Sequence, residues 1–224
     1  MKLFIFASLL FMNLAWAEMS APNHSLQLLV VPVANITDTK AELYTYERAN
    51  RQAPWTVVFD PIEVSLGRTG IALGLGFKDV NTTSSYAQKI EGDGKSPAGI
   101  FKLSKVFGYA KVSPTTKMPY IQATKNLHCV DDSSSKLYNQ IITKQSGYGS
   151  HEKMLRKDNL YKWGVVVDHN AKNIPLKGSC IFLHITSGRP TAGCTAMKEK
   201  ELLKIIKWLD AKKEPVLVQY LSEQ

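Results

Sequence analysis

No apolar run in this sequence is long enough to span a bilayer. The longest, Leu3 to Leu14, follows Lys2 and ends at Ala15-Trp16-Ala17, a small-x-small pattern. That combination predicts a secretory signal over residues 1–17, removed ahead of Glu18. No lipidation-type cysteine lies beside the cleavage site, so the product is expected in a bacterial periplasm or secreted, with no integral membrane segment. Metal motifs are missing too. Neither HExxH nor CxxC occurs, and His24, His128 and His151 lack a Glu or Cys partner at metal spacing, so no metal and no cofactor is assigned. Gly67, Gly70, Gly74 and Gly76 are not followed by Lys-Ser/Thr or a helix start, which excludes a phosphate loop. No repeat, low-complexity tract or Pro/Gly-rich linker divides the chain, so residues 18–224 are read as one domain. The net charge of +9 comes without a basic-aromatic pattern, which argues against nucleic acid. Its C-terminal part (Lys198, Lys200, Lys204, Lys207, Lys212, Lys213) fits a solvated helix face, or attraction to anionic envelope polymers.

Cysteine is scarce: Cys129, Cys180 and Cys194 are all there is. An odd count in an exported protein suggests one bridge and one leftover thiol. Pairing Cys129 with Cys180 frees Cys194. Pairing Cys129 with Cys194 would silence it, and Cys180 with Cys194 would tie down the segment before His184.

The stretch His184 to Met197, HITSGRPTAGCTAM, is where the chemistry concentrates. Ile181-Phe182-Leu183 reads as a strand that delivers His184 at its end. Gly193 permits a tight turn that leaves the Cys194 amide pointing outward. A thiol, a base and a backbone donor are the parts of a cysteine nucleophile site. On spacing alone, a buried structural cysteine near an ordinary histidine is an equal reading. Arg189, in the short loop between the two, is placed to meet a substrate carboxylate, and Thr191 to bond within the turn. If strands 163–167 and 180–184 pair antiparallel, His169 lies about 15 Å from His184 and is a turn residue. By the same logic Tyr161 and Trp163 lie nearer the site. Asp131-Asp132 could serve as a cation or substrate site, but a turn beside a disulfide is the favoured reading.

The coarse reading is strand-rich. Strands are expected over 25–33, 41–48, 55–59, 62–66, 163–167, 180–184 and 215–221, with one amphipathic helix over 199–209. Residues 91–100 read as a turn-rich loop, and 131–160 as short helix and loop. The fold class is therefore β-dominated α+β.

On these residues the chain resembles the L,D-transpeptidase catalytic (YkuD-like) family of bacterial cell-wall enzymes. His184 matches the family's strand-end His, Thr191 its Ser/Thr, Gly193 its Gly and Cys194 its nucleophile. Ser96 to Phe101 is similar to its Pro-x-Gly-x-aromatic segment. The closest branch is one with a Pro-Thr-Ala-Gly-Cys motif and a Cys-Val-Asp-Asp segment, here Cys129 to Asp132. The resemblance implies a single β-sandwich or barrel domain with a late helix, and peptidoglycan stem peptides as partners. It also implies thioester acyl transfer on Cys194 with His184 as base, and an Ile185 carbonyl that orients the imidazole. The enzyme is read as a monomer. Two departures stand out: Ala192 replaces a second His, and the His-to-Cys loop is short. Both bear on substrate choice and leave the Cys–His pair intact.

Overall fold

A computed structural model describes residues 22–77, 87–113 and 115–222. The signal segment lies outside the described residues. Among those described, no helix is long and apolar enough to cross a membrane.

Fourteen strands are described in chain order: β1 (Gln27–Val33), β2 (Lys40–Glu47), β3 (Thr56–Val57), β4 (Ile62–Ser65), β5 (Ile71–Leu73), β6 (Ser96–Gly108), β7 (Tyr120–Gln122), β8 (Leu127–Cys129), β9 (Ile141–Thr143), β10 (Glu152–Lys153), β11 (Trp163–Val167), β12 (Phe182–Ile185), β13 (Thr195–Met197) and β14 (Val216–Leu221). One helix, α1 (Glu199–Trp208), precedes the last strand. Eight of the strands run in the order β1-β14-β6-β11-β12-β13-β4-β2, and β2 pairs back on β1 to close a barrel. Closure leaves these strands no bare edge to pair with another chain.

Inside the barrel, alternate residues of each strand meet: Leu29, Val31, Leu43, Val64, Leu103, Val165, Leu183 and Met197 among them. Helix α1 adds Leu202, Ile205 and Ile206 to the same cluster, so its apolar stripe packs against the barrel and its lysines face water. Period-2 alternation gives the other side of the wall to Phe107, Phe182 and Val166. Against that outer face lies a small sheet, β10-β8-β9, which brings Leu127, Cys129 and, just after β10, Met154.

A disulfide between Cys129 and Cys180 (Cα–Cα 6.0 Å) ties β8 to the segment entering β12, and Cys194 is the free cysteine. The bridge spans 51 residues of sequence, worth about 4 kcal/mol on a chain-entropy estimate. Asn139 reinforces the tie: its amide donates to the carbonyls of His169 and Asn170 and its oxygen accepts the Cys180 N–H.

Two segments differ from the sequence expectation. From Ser96 onward the supposed loop is the start of β6, the longest strand. Pairing with β5 and β14, both distant in sequence, overrides the local signal of Pro97 and Gly99. Residues 131–160 contain no helix. There Asp132 accepts the N–H groups of Ser134 and Gly149, so its side chain closes a turn instead of opening a helix.

Candidate active site

His184 sits on β12 opposite Gly164 of β11 and beside Ala196 of β13. Leu183 points into the barrel, so Phe182 and His184 point out, toward the small sheet. Position 164 must be glycine because the Phe107 ring occupies the place of a side chain; a Cβ there would come within 2.2 Å of it. The imidazole is buried, with the Tyr161 ring edge-on at 5.2 Å. Its Nδ1 lies 2.8 Å from the Ile185 carbonyl oxygen. A carbonyl can only accept, so Nδ1 carries the proton and Nε2 holds the lone pair. Burial lowers the His184 pKa to about 4 against the opposing pull of that carbonyl, which keeps the ring neutral near pH 7.

Cys194 follows the turn Thr191-Ala192-Gly193 and immediately precedes β13. The turn is tightly built. Thr191 donates its hydroxyl to the Cys194 carbonyl at 2.6 Å and accepts the Gly193 N–H at 3.1 Å. Ser96 donates to the same Cys194 carbonyl at 2.9 Å. Gly193 has φ +150°, and a Cβ there would lie 3.0 Å from the Lys95 carbonyl oxygen. The Phe182 N–H points at the Cys194 sulfur at 3.3 Å, and the thiol faces the Cys180 carbonyl at 3.5 Å. Burial pushes the thiol pKa up to about 12, and Glu152 adds to the rise; the Phe182 amide, Lys89 and Arg156 oppose it. The resting pair is therefore thiol and neutral imidazole, not thiolate and imidazolium.

Both groups line one cavity of about 350 Å³. Four cations line it, Arg68, Lys89, Arg156 and Arg189, together with three carboxylates, Glu91, Asp131 and Glu152, the last carried by β10 of the small sheet. Tyr161 donates to Glu152, and Arg156 lies over the Tyr161 ring at 5.0 Å while pairing with Asp158. Asp131 has a buried Oδ1 without a hydrogen-bond partner among the described residues.

The sequence-derived site residues separate accordingly. Cys194, His184, Gly193, Arg189, Thr191 and Tyr161 all line the cavity, and the Ile185 carbonyl holds the imidazole. Trp163 does not line it. It shares the face of Val165 and Val167, so alternation on β11 turns its ring onto the barrel core. Thr191 has no hydroxyl proton to offer substrate, because it donates that proton to the Cys194 carbonyl within the turn. The Gly193 amide is likewise engaged, whereas that of Cys194 has no partner among the described residues. Lys89, Glu152 and Arg156 escaped the sequence reading. Each reaches the cavity only through tertiary packing, and no local motif marks any of them.

A family model described as the L,D-transpeptidase catalytic domain matches residues 32–218. No curated protein and no solved structure matches the chain significantly.

Proposed function

The chain belongs to the L,D-transpeptidase catalytic-domain family, and from that premise we propose that it is an exported enzyme that cross-links peptidoglycan stem peptides through a thioester on Cys194. Membership in the family supports L,D-transpeptidase-type chemistry. The observation that carries the assignment to these residues is a buried thiol and an imidazole with an unprotonated Nε2 lining one cavity. In the first step His184 Nε2 takes the thiol proton as the sulfur attacks the donor carbonyl, and the C=O electron pair moves onto oxygen. The Cys194 amide, which has no partner among the described residues, is the backbone donor in this reading for that oxyanion. Collapse of the intermediate breaks the C–N bond, and His184 returns the proton to the departing amine, leaving the thioester. An amine of a second stem peptide then attacks the thioester carbonyl and releases the thiol.

Neutral partners suit this sequence. A thiol that ionises only when an acyl donor fills the cavity does not idle as a reactive thiolate in an oxidising compartment. Arg189 on the rim suits the free carboxylate of a stem peptide. The 18–224 segment acts as one catalytic unit, with the bridge Cys129–Cys180 anchoring β8 and, through it, Glu152 of β10.

Incubation with purified muropeptides, followed by mass spectrometry, tests the reading. Dimers whose mass is the sum of donor and acceptor minus the leaving amino acid are expected, and none with Cys194→Ala. Shortened monomers without dimers would make the enzyme a hydrolase on the same chemistry. Binding to sacculi that persists in Cys194→Ala, with no turnover by the native protein, would make it a silent wall-binding protein.

A further inference from the structure

Lys89 is a buried lysine that the chemistry above does not use. Its side chain is 4% exposed, and its ammonium lies 2.8 Å from Asp93 Oδ1 and 2.7 Å from the Lys95 carbonyl oxygen. An ammonium has three N–H donors, so one remains. The stem runs past Gly178, and the Nζ ends 3.5 Å from where a Cβ on Gly193 would stand, in the wall of the Cys194 cavity. Glycine at 193 therefore keeps open the space between this ammonium and the nucleophile turn.

The turn also needs another donor. Thr191 N–H is bound to the Leu66 carbonyl and Gly193 N–H to the Thr191 hydroxyl. The Ala192 and Cys194 amides remain, and Ala192 lies on the exposed rim. A negative charge forming in so buried a place is held best by a fixed positive one. We infer that Lys89 is a catalytic residue whose third N–H faces the oxyanion formed when Cys194 attacks the acyl donor. Asp93 and Lys95 act as its brace: Asp93 also accepts the N–H groups of Ile90 and Lys95, so the pair is fixed to the backbone at both ends. The other charged groups that bear on the thiol are Glu152, which opposes its ionisation, and Arg156, which favours it. Arg156 is already paired with Asp158.

The inference rests on Cys194 being the nucleophile, and its first test does not require transpeptidation. The full chain is alkylated at Cys194 with iodoacetate (anionic) and iodoacetamide (neutral), and the ratio of the two rates is taken. Lys89→Met should lower the ratio about tenfold, the scale of one charge-assisted contact. Asp93→Asn, which breaks the same ion pair but keeps the ammonium, should hold it within about twofold. If Lys89→Met fails to fold because Asp93 is left buried and alone, the double variant Lys89→Met/Asp93→Asn removes that charge and should show the same loss. On muropeptides, Lys89→Met should lower kcat by about ten- to hundredfold with KM little changed. An unchanged alkylation ratio, an equal loss in Asp93→Asn, or a rise in KM at constant kcat would each overturn the role. A native enzyme inactive on muropeptides but with the expected alkylation ratios would overturn the substrate assignment and leave Lys89 as the charge that serves Cys194.

Discussion

His169 and His184 sit at opposite ends of the β11–β12 pair. Both are buried and flanked by aromatic rings, and each has a pKa lowered to about 4, chiefly by burial. Each also meets a backbone carbonyl: Lys177 at 2.9 Å for His169 Nε2, Ile185 at 2.8 Å for His184 Nδ1. They differ in the remaining nitrogen. His169 Nδ1 accepts the Leu75 N–H at 3.2 Å, whereas Nε2 of His184 has no partner among the described residues, on a ring that lines the cavity. Burial and a low pKa are thus shared by both histidines, and what separates them is an unengaged lone pair on a ring that lines the same cavity as the Cys194 thiol.

Exchange at the two positions should break the symmetry most sharply. His184→Ala removes the proposed base and should lower kcat on muropeptides by about 10²- to 10⁴-fold, with the fold retained. His169→Asn leaves the Leu75 N–H and Lys177 carbonyl without their partner. It should destabilise the fold by roughly 1–3 kcal/mol while turnover per folded molecule stays within about threefold. Urea titration alongside single-substrate kinetics checks both. Equal catalytic losses in the two variants would erase the distinction.

The next effect is one the two residues share. In the folded state each ring takes a proton only near pH 4, and in the unfolded chain near 6.5. Between those values the unfolded state binds more protons, so stability falls as the pH drops from about 6.5 to about 4 and levels off below. Each ring contributes up to about 3 kcal/mol over that window. Unfolding free energies measured at pH 7, 5.5 and 4 should show the decline. His169→Asn and His184→Asn should each flatten part of it by similar amounts. A variant that leaves the slope unchanged would mean that its histidine is already charged in the native protein.

Why one end was legible and the other less so follows from the distance over which each feature is built. The strand Ile181 to Leu183, the turn at Gly193 and the helix stripe Leu202-Ile205-Ile206 are local patterns, and each survives into the fold. The antiparallel register that sets His169 far from His184 followed from hairpin geometry alone. Trp163 was misplaced because spacing told its distance along the strand but not its face. The small sheet was missed altogether. Its strands are two or three residues long, too short for an alternation pattern, and the disulfide and Asn139 hold them against the barrel. With it went Glu152, which reaches the cavity only because β10 pairs with β8 at Cys129.

The smallest effect belongs to the rim of the cavity, where the sequence singled out Arg189. The side chain is exposed and the loop from Ser187 to Pro190 is short, so the role proposed for the guanidinium is to meet substrate and not to shape the thiol's surroundings. A bidentate contact to a stem-peptide carboxylate is worth roughly 1.5–3 kcal/mol, or about ten- to hundredfold in kcat/KM. Solvent at the rim pulls the expected value toward the lower figure. Arg189→Ala should therefore raise KM about tenfold with kcat little changed, and Arg189→Lys should recover only part, because an ammonium lacks the planar fork. Alkylation of Cys194 by neutral iodoacetamide should be little altered in both, since the charged groups that chiefly shift its ionisation are Glu152, Lys89 and Arg156. That pattern is the inverse of the one for His184→Ala, which spares KM and removes kcat. Full kcat/KM in Arg189→Ala would move carboxylate recognition to the other arginines that line the cavity, Arg68 and Arg156, and the same kinetics on variants of those two would find it.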